Sequence, residues 1–180
     1  MTNSGNRFVP PIVLIIFGLF SIFSSGTAMN PAASASVVET VNVPLQQFAQ
    51  ATAMWQLTHN AGATGRMEIH IPSLEIYDPN GKLVFSGDNA DKNAELLRRL
   101  PTGLKDLTPV SPGQDIQKVF TIVPALDKKA DALTASHRYT LVLATSLANC
   151  AGCKRQDDAE NEARSKKDLD VNILRIVLEK

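Results

Sequence analysis

Tyr139-Thr140-Leu141-Val142-Leu143-Ala144-Thr145-Ser146-Leu147-Ala148-Asn149-Cys150-Ala151-Gly152-Cys153-Lys154-Arg155 opens on an apolar run of strand length and closes on a cysteine pair. Tyr139 to Thr145 reads as a buried strand, and the charged stretch from the cysteines to about Lys167 as a helix. Val171 to Leu178 is a final apolar run rich in β-branched residues, read as a second strand. A strand, a helix and a strand in that order imply a right-handed crossover and parallel pairing. Upstream, Gln117 to Val123 reads as a further strand and Ala125 to Ser136 as a helix, which extends the alternation. The expected class is α/β, a sheet held between layers of helices.

The chemistry sits where strand gives way to helix. Cys150 and Cys153 are the only cysteines of the chain. A sulfur at a helix N-terminus faces unpaired backbone N–H groups and the positive end of the macrodipole, and both favour thiolate. Cys150 is therefore expected to have a depressed pKa and to act as the attacking sulfur. Cys153, one helical turn on, can reach it and resolve a mixed disulfide. Lys154 and Arg155 are expected to add positive potential, and small Ala151 and Gly152 to leave the pair accessible.

Two other roles compete. A structural disulfide closing so short a loop constrains the unfolded chain very little. Zinc needs four ligands, whereas this pair supplies two, and His59, His70 and His137 stand at no helpful local spacing. A copper- or zinc-handling protein would retain metal through its cysteines. Haem attachment is excluded because Lys154, not histidine, follows Cys153. No metal ligand set and no cofactor are expected. Trp55 reads as a packing anchor, and the charged run from Lys154 to Asp170 as the solvated face of a helix. No Ser-His-Asp arrangement, phosphate-cradling glycine loop or paired-carboxylate motif stands out.

Further out, Arg7 precedes an apolar run from Phe8 to Phe23, shorter than the ~20 residues of a spanning helix. Small residues follow it, with Gly26-Thr27-Ala28 or Ala33-Ser34-Ala35 as cleavage sites. Residues 1–28 thus read as a signal peptide or an uncleaved signal anchor, and residues 29–44 as a flexible linker. Either leader puts the folded part, residues 45–180, in a periplasmic or other extracytoplasmic compartment of the cell envelope. With 18 basic and 18 acidic residues, the chain has no net charge that would draw nucleic acid or an anionic membrane. Contact with membrane is expected only through the anchor.

Between these ends, Leu45 to Leu57 has helical spacing, and residues 60–65 break it. Ser73 to Tyr77 and Lys82 to Phe85 flank Asp78-Pro79-Asn80-Gly81, a hairpin with a strong Asn-Gly turn. A helix capped by Asp88 or Asn89, with Ala94, Leu96, Leu97 and Leu100 inside, ends at Pro101. Residues 102–115 read as a loop.

The segment from Tyr139 to Arg155, the following helix and the strand from Val171 resemble the thioredoxin superfamily. The likeness implies a thioredoxin-like three-layer sandwich with a mixed central sheet and a thiol–disulfide oxidoreductase. Its partners would be protein thiols and disulfides together with a redox partner. It also implies a cis-proline beside the cysteines, heading a later strand. Here the chain ends after the strand that follows the active-site helix, Asn149 replaces the usual aromatic, and the central dipeptide lacks proline. His70-Ile71-Pro72 and the hairpin and helix behind it look like the missing proline–strand–turn–strand–helix unit. A circularly permuted order would put Pro72 at the cysteines as a substrate-binding residue. The other reading is the N-terminal hairpin of periplasmic redoxins, in which Pro72 merely starts a strand. A non-catalytic thioredoxin-like binding module is the alternative function.

Overall fold

The computed structural model describes residues 36–59, 69–110, 114–147 and 150–180. The expected leader, the expected linker up to residue 35, the expected break at 60–65 and Asn149 lie outside the described residues. In chain order the elements are β1 (Val38–Pro44), α1 (Leu45–His59), β2 (Ser73–Tyr77), β3 (Leu83–Gly87) and α2 (Ala90–Arg98). After these come α3 (Gln117–Ile122), α4 (Ala130–Ala135), β4 (Tyr139–Ser146), α5 (Ala151–Arg164) and β5 (Val171–Glu179). Short 3₁₀ turns occupy Thr102–Asp106 and Pro124–Lys129.

The five strands form one mixed sheet in the order β1-β5-β4-β2-β3. β1 and β4 flank β5 in parallel, while β2 runs antiparallel to β4, and β3 antiparallel to β2. β4 is buried continuously from Thr140 to Thr145, the mark of a strand covered on both faces. Val142 and Ala144 face a core shared with Trp55 of α1 and Val119, Phe120 and Ile122 of α3. Leu141 and Leu143 face the opposite core, shared with Ala94 and Leu97 of α2 and Ala159 and Ala163 of α5. Alternation along one strand thus feeds two hydrophobic layers, and the α/β class holds.

The hairpin forms for the reason its turn implies. The Asp78 carboxylate accepts from the N–H groups of Asn80 and Lys82 at 2.9 and 2.8 Å, and Gly81 sits at φ +75°. Asn89 caps α2, accepting from the N–H groups of Asp91 and Lys92.

Two expectations need correction. Residues 38–44 are not linker: they form β1, which takes the free side of β5 with Val38 opposite Ile173 and Pro44 opposite Glu179. Val38, Thr40, Val41 and Val43 favour a pleated edge. The buried Asn172 side chain helps to seat the strand by accepting from the Val37 N–H at 3.0 Å. The Ala/Ser-rich residues before β1 masked that local signal.

Gln117 to Val123 is not a strand either. It forms α3, started by Asp115 accepting from the Gln117 N–H at 3.0 Å. Val119, Phe120, Ile122 and Val123 are buried together, a spacing that closes on a helix face. Burial against α1 and the sheet overrides the strand preference of their side chains. The third parallel strand is therefore β1, from the other end of the domain. Smaller differences are the 3₁₀ turn inside the expected loop and the division of 125–136 into a 3₁₀ turn and α4. Among the described residues, no helix is long and apolar enough to cross a membrane.

Candidate functional site

Cys150 lies just beyond the carboxyl end of β4 and is the N-cap of α5. Its Sγ accepts from the Cys153 N–H at 3.1 Å. The two cysteines form a disulfide with their Cα atoms 5.1 Å apart. Exposure differs between them: Cys150 is half-buried, while Cys153 is 3% exposed. The first sulfur is the one an outside reactant can approach. The second lies beneath it, facing the protein.

Pro72 stands against this turn. A Cβ placed at Gly152 would lie 3.0 Å from Ala90 Cβ and 3.2 Å from Pro72 Cδ. A glycine between the cysteines therefore lets α5 begin in close contact with both the start of β2 and the start of α2. The Ile71–Pro72 peptide is cis. Positions 72, 150 and 153, read from the sequence as candidates, come together in the fold.

The charges expected to favour thiolate are differently engaged. Lys154 Nζ pairs with Asp158 at 3.0 Å and Arg155 Nε with Asp91 at 2.9 Å. These exposed pairs dilute the basic potential, so the amide groups of the first turn of α5 are the main positive feature at Cys150. The histidines do not converge on the pair. His59 stacks on Trp55 with ring centroids 4.6 Å apart, His70 lies 3.7 Å from Asp88, and His137 sits at φ +51° before β4. Among the described residues, no three His, Cys, Asp or Glu side chains gather as a metal site. Trp55 is buried in the core, as its packing role requires, with Lys118 Nζ 5.6 Å above its ring.

The charged run of α5 conceals an inner stripe that the sequence reading missed. Gln156 and Glu160 are buried, at one and two helical turns beyond Cys153. Gln156 Nε2 donates to the Ser73 carbonyl at 3.1 Å, and its Oε1 accepts from Asn93 Nδ2 at 2.8 Å. Asn93 Nδ2 also donates to the Gly87 carbonyl at 3.2 Å. The spacing from Cys153 was the available signal, but it lay among too many solvated charges to stand out.

Glu160 meets Arg175 of β5, with Nε 3.2 Å from its carboxylate, while Arg175 Nη2 lies 2.8 Å from Asp157. Burial pushes the Glu160 carboxyl above the ordinary carboxylate range. Arg175 and Arg164 draw it back, and Asp157 adds to the rise. The folded state therefore holds the proton more tightly than the unfolded chain. The stability this contributes is complete below the unfolded pKa and is lost as pH rises through the folded one. Glu160→Gln should flatten that loss, as read by urea midpoints from about pH 4 to about pH 8. An unchanged slope would remove Glu160 as its source.

On the other face of the sheet, a cavity of about 330 Å³ lies among α1, α3 and the sheet, with Phe48, Val119, Val142 and Ala144 in its walls. Lys118 and Glu75 form a 2.6 Å ion pair there, and Tyr77 donates to Glu75 at 2.6 Å. Burial and the Glu75 carboxylate raise the Tyr77 phenol well above its usual range, so it remains a donor. Ser73 borders this cavity and also follows Pro72.

Comparisons with protein-family models, with curated proteins and with solved structures found no match to this chain.

Proposed function

We propose that this protein is an exported thiol–disulfide oxidoreductase of thioredoxin-like type, with Cys150 attacking and Cys153 resolving. The observation that carries the reading is the unequal exposure of two cysteines in the first turn of α5, the outer one at the cap. A structural disulfide has no need of an accessible outer sulfur.

In the reduced protein, the Cys150 thiolate attacks one sulfur of a substrate disulfide. A new S–S bond forms, the substrate bond breaks, and the departing thiolate takes a proton from solvent. Deprotonated Cys153 then attacks Cys150 Sγ, releasing the second substrate thiol and closing the Cys150–Cys153 disulfide. The substrate gains two electrons and two protons, and the protein loses them. A dithiol partner returns the pair to its reduced form.

The permuted form of the thioredoxin resemblance is favoured over the N-terminal hairpin. Support comes from β2 pairing directly with β4, and from Pro72 at the head of β2 lying against position 152. In this reading the unit β2–β3–α2 takes the place of the family's proline–strand–turn–strand–helix unit, and Pro72 borders the groove that takes the substrate. The expected leader makes the site extracytoplasmic, where protein disulfides are abundant.

Reduction of a disulfide-bonded protein such as insulin, driven by a dithiol, tests the activity. Cys150→Ser should fall to the rate of the dithiol alone, and Cys153→Ser should accumulate a mixed disulfide with the substrate. Full activity in Cys150→Ser would leave a binding module as the better description.

A further inference from the structure

We propose that Gln156 is a positioning residue for the cysteine pair: its amide holds the Ser73 carbonyl so that Pro72 is pressed against the Cys150–Cys153 turn. This deepens the thiol–disulfide reading and rests on it for its functional meaning. The side chain is fully buried one turn beyond Cys153, on the inward face of α5. Buried amides are retained where both ends find partners, and here both do. The donor reaches the Ser73 carbonyl at 3.1 Å, and the acceptor takes the Asn93 amide at 2.8 Å. One residue thus links the cysteine helix, the start of β2 and α2.

Consequences for the site follow from sequence adjacency. Ser73 is bonded directly to Pro72, so fixing the Ser73 carbonyl fixes the proline ring that packs on position 152. Asn93 in turn donates to the Gly87 carbonyl, which lies opposite Leu74 in the hairpin. Asn93 Oδ1 fills the space beside Gly87 that a side chain would need, 2.2 Å from where a Cβ would stand. The Cys150 sulfur depends on this frame, because its contact with the Cys153 N–H requires the first turn of α5 to stay in place.

Gln156→Met keeps the length and removes both hydrogen bonds. With the Ser73 carbonyl released, the turn loosens and the backbone donors that favour the Cys150 thiolate lose alignment. Alkylation of the reduced protein by iodoacetamide, followed across pH, reads this directly. The midpoint should move to higher pH, with Cys150 reacting about tenfold more slowly at neutral pH. Gln156→Glu is the second variant. It keeps the acceptor for Asn93 but, when ionised, loses the donor to Ser73, and its profile should shift the same way. Leu174→Val, a core variant remote from this frame, should leave the midpoint where it is.

Wild-type profiles in both Gln156 variants, or an equal shift in Leu174→Val, would overturn the positioning role. The alkylation profile is a property of the reduced chain and is read whether or not the protein reduces insulin. Failure of the oxidoreductase reading is therefore distinguishable from failure of this inference.

Discussion

Arg175→Leu should destabilise the protein by about 3–5 kcal/mol at neutral pH, the usual result of removing one partner of a buried ion pair. Arg175 projects from β5 toward α5 between two carboxylates, 2.8 Å from Asp157 and 3.2 Å from Glu160. Glu160 is 1% exposed, and neither of its oxygens accepts a hydrogen bond among the described residues. Burial raises its pKa, and Arg175 is the larger of the two cationic influences that draw it back down. Without Arg175, Arg164 at 3.7 Å is the one cation left close among the described residues, and the carboxyl is driven further above its ordinary range.

The sign of the pH dependence follows. The variant binds a proton in the folded state over a wider interval than the wild type does. Its deficit should be smallest in acid, where the raised carboxyl pKa costs least, and should grow as pH rises. Guanidinium unfolding at about pH 5 and about pH 8 measures it. Pairing Arg175→Leu with Glu160→Leu should recover much of the loss, because no buried charge is then left alone. A deficit that ignores pH and is not relieved in the double variant would refute this account.

Leu174→Ala has the next largest expected effect, a loss of about 2–5 kcal/mol in urea unfolding. Leu174 lies in β5, opposite Glu39 of β1 and Val142 of β4, and is 0% exposed. Its side chain packs in the core shared by α1 and α3, with strands on both sides of its own. Little can collapse into the space it leaves. Leu57→Ala, at a residue 70% exposed on α1, should stay within about 0.5 kcal/mol of wild type. Equal losses at the two positions would contradict this placing of the core.

The legible parts of the fold were those with strong local chemistry. β4 and β5 announced themselves as long apolar runs, and the hairpin through Asp78 and Gly81 by a turn in which carboxylate and glycine each have a defined task. The cysteine pair was readable because its spacing and its place before a helix are local. β1 and α3 were not, for opposite reasons. β1 carries a short strand signal behind a linker-like stretch and finds its partner at the far end of the chain. α3 is rich in strand-favouring residues, yet packing against α1 and the sheet makes it a helix.

The inner stripe of α5 was hidden for a third reason. Gln156 and Glu160 have the composition of a solvated surface, and nothing along the helix says that Asn93, Ser73 and Arg175 await them. Residue order alone established an α/β chain carrying a cysteine pair at a strand–helix junction, because hydrophobic period, turn chemistry and helix-end electrostatics act over a few residues. Only the tertiary structure brought Pro72 to Gly152, buried the polar stripe and joined β1 to β5. Those contacts link distant positions, such as Ser73 and Gln156 with a separation of 83. They form only when the whole sheet assembles and the burial of both its faces offsets the entropy of closing such long loops.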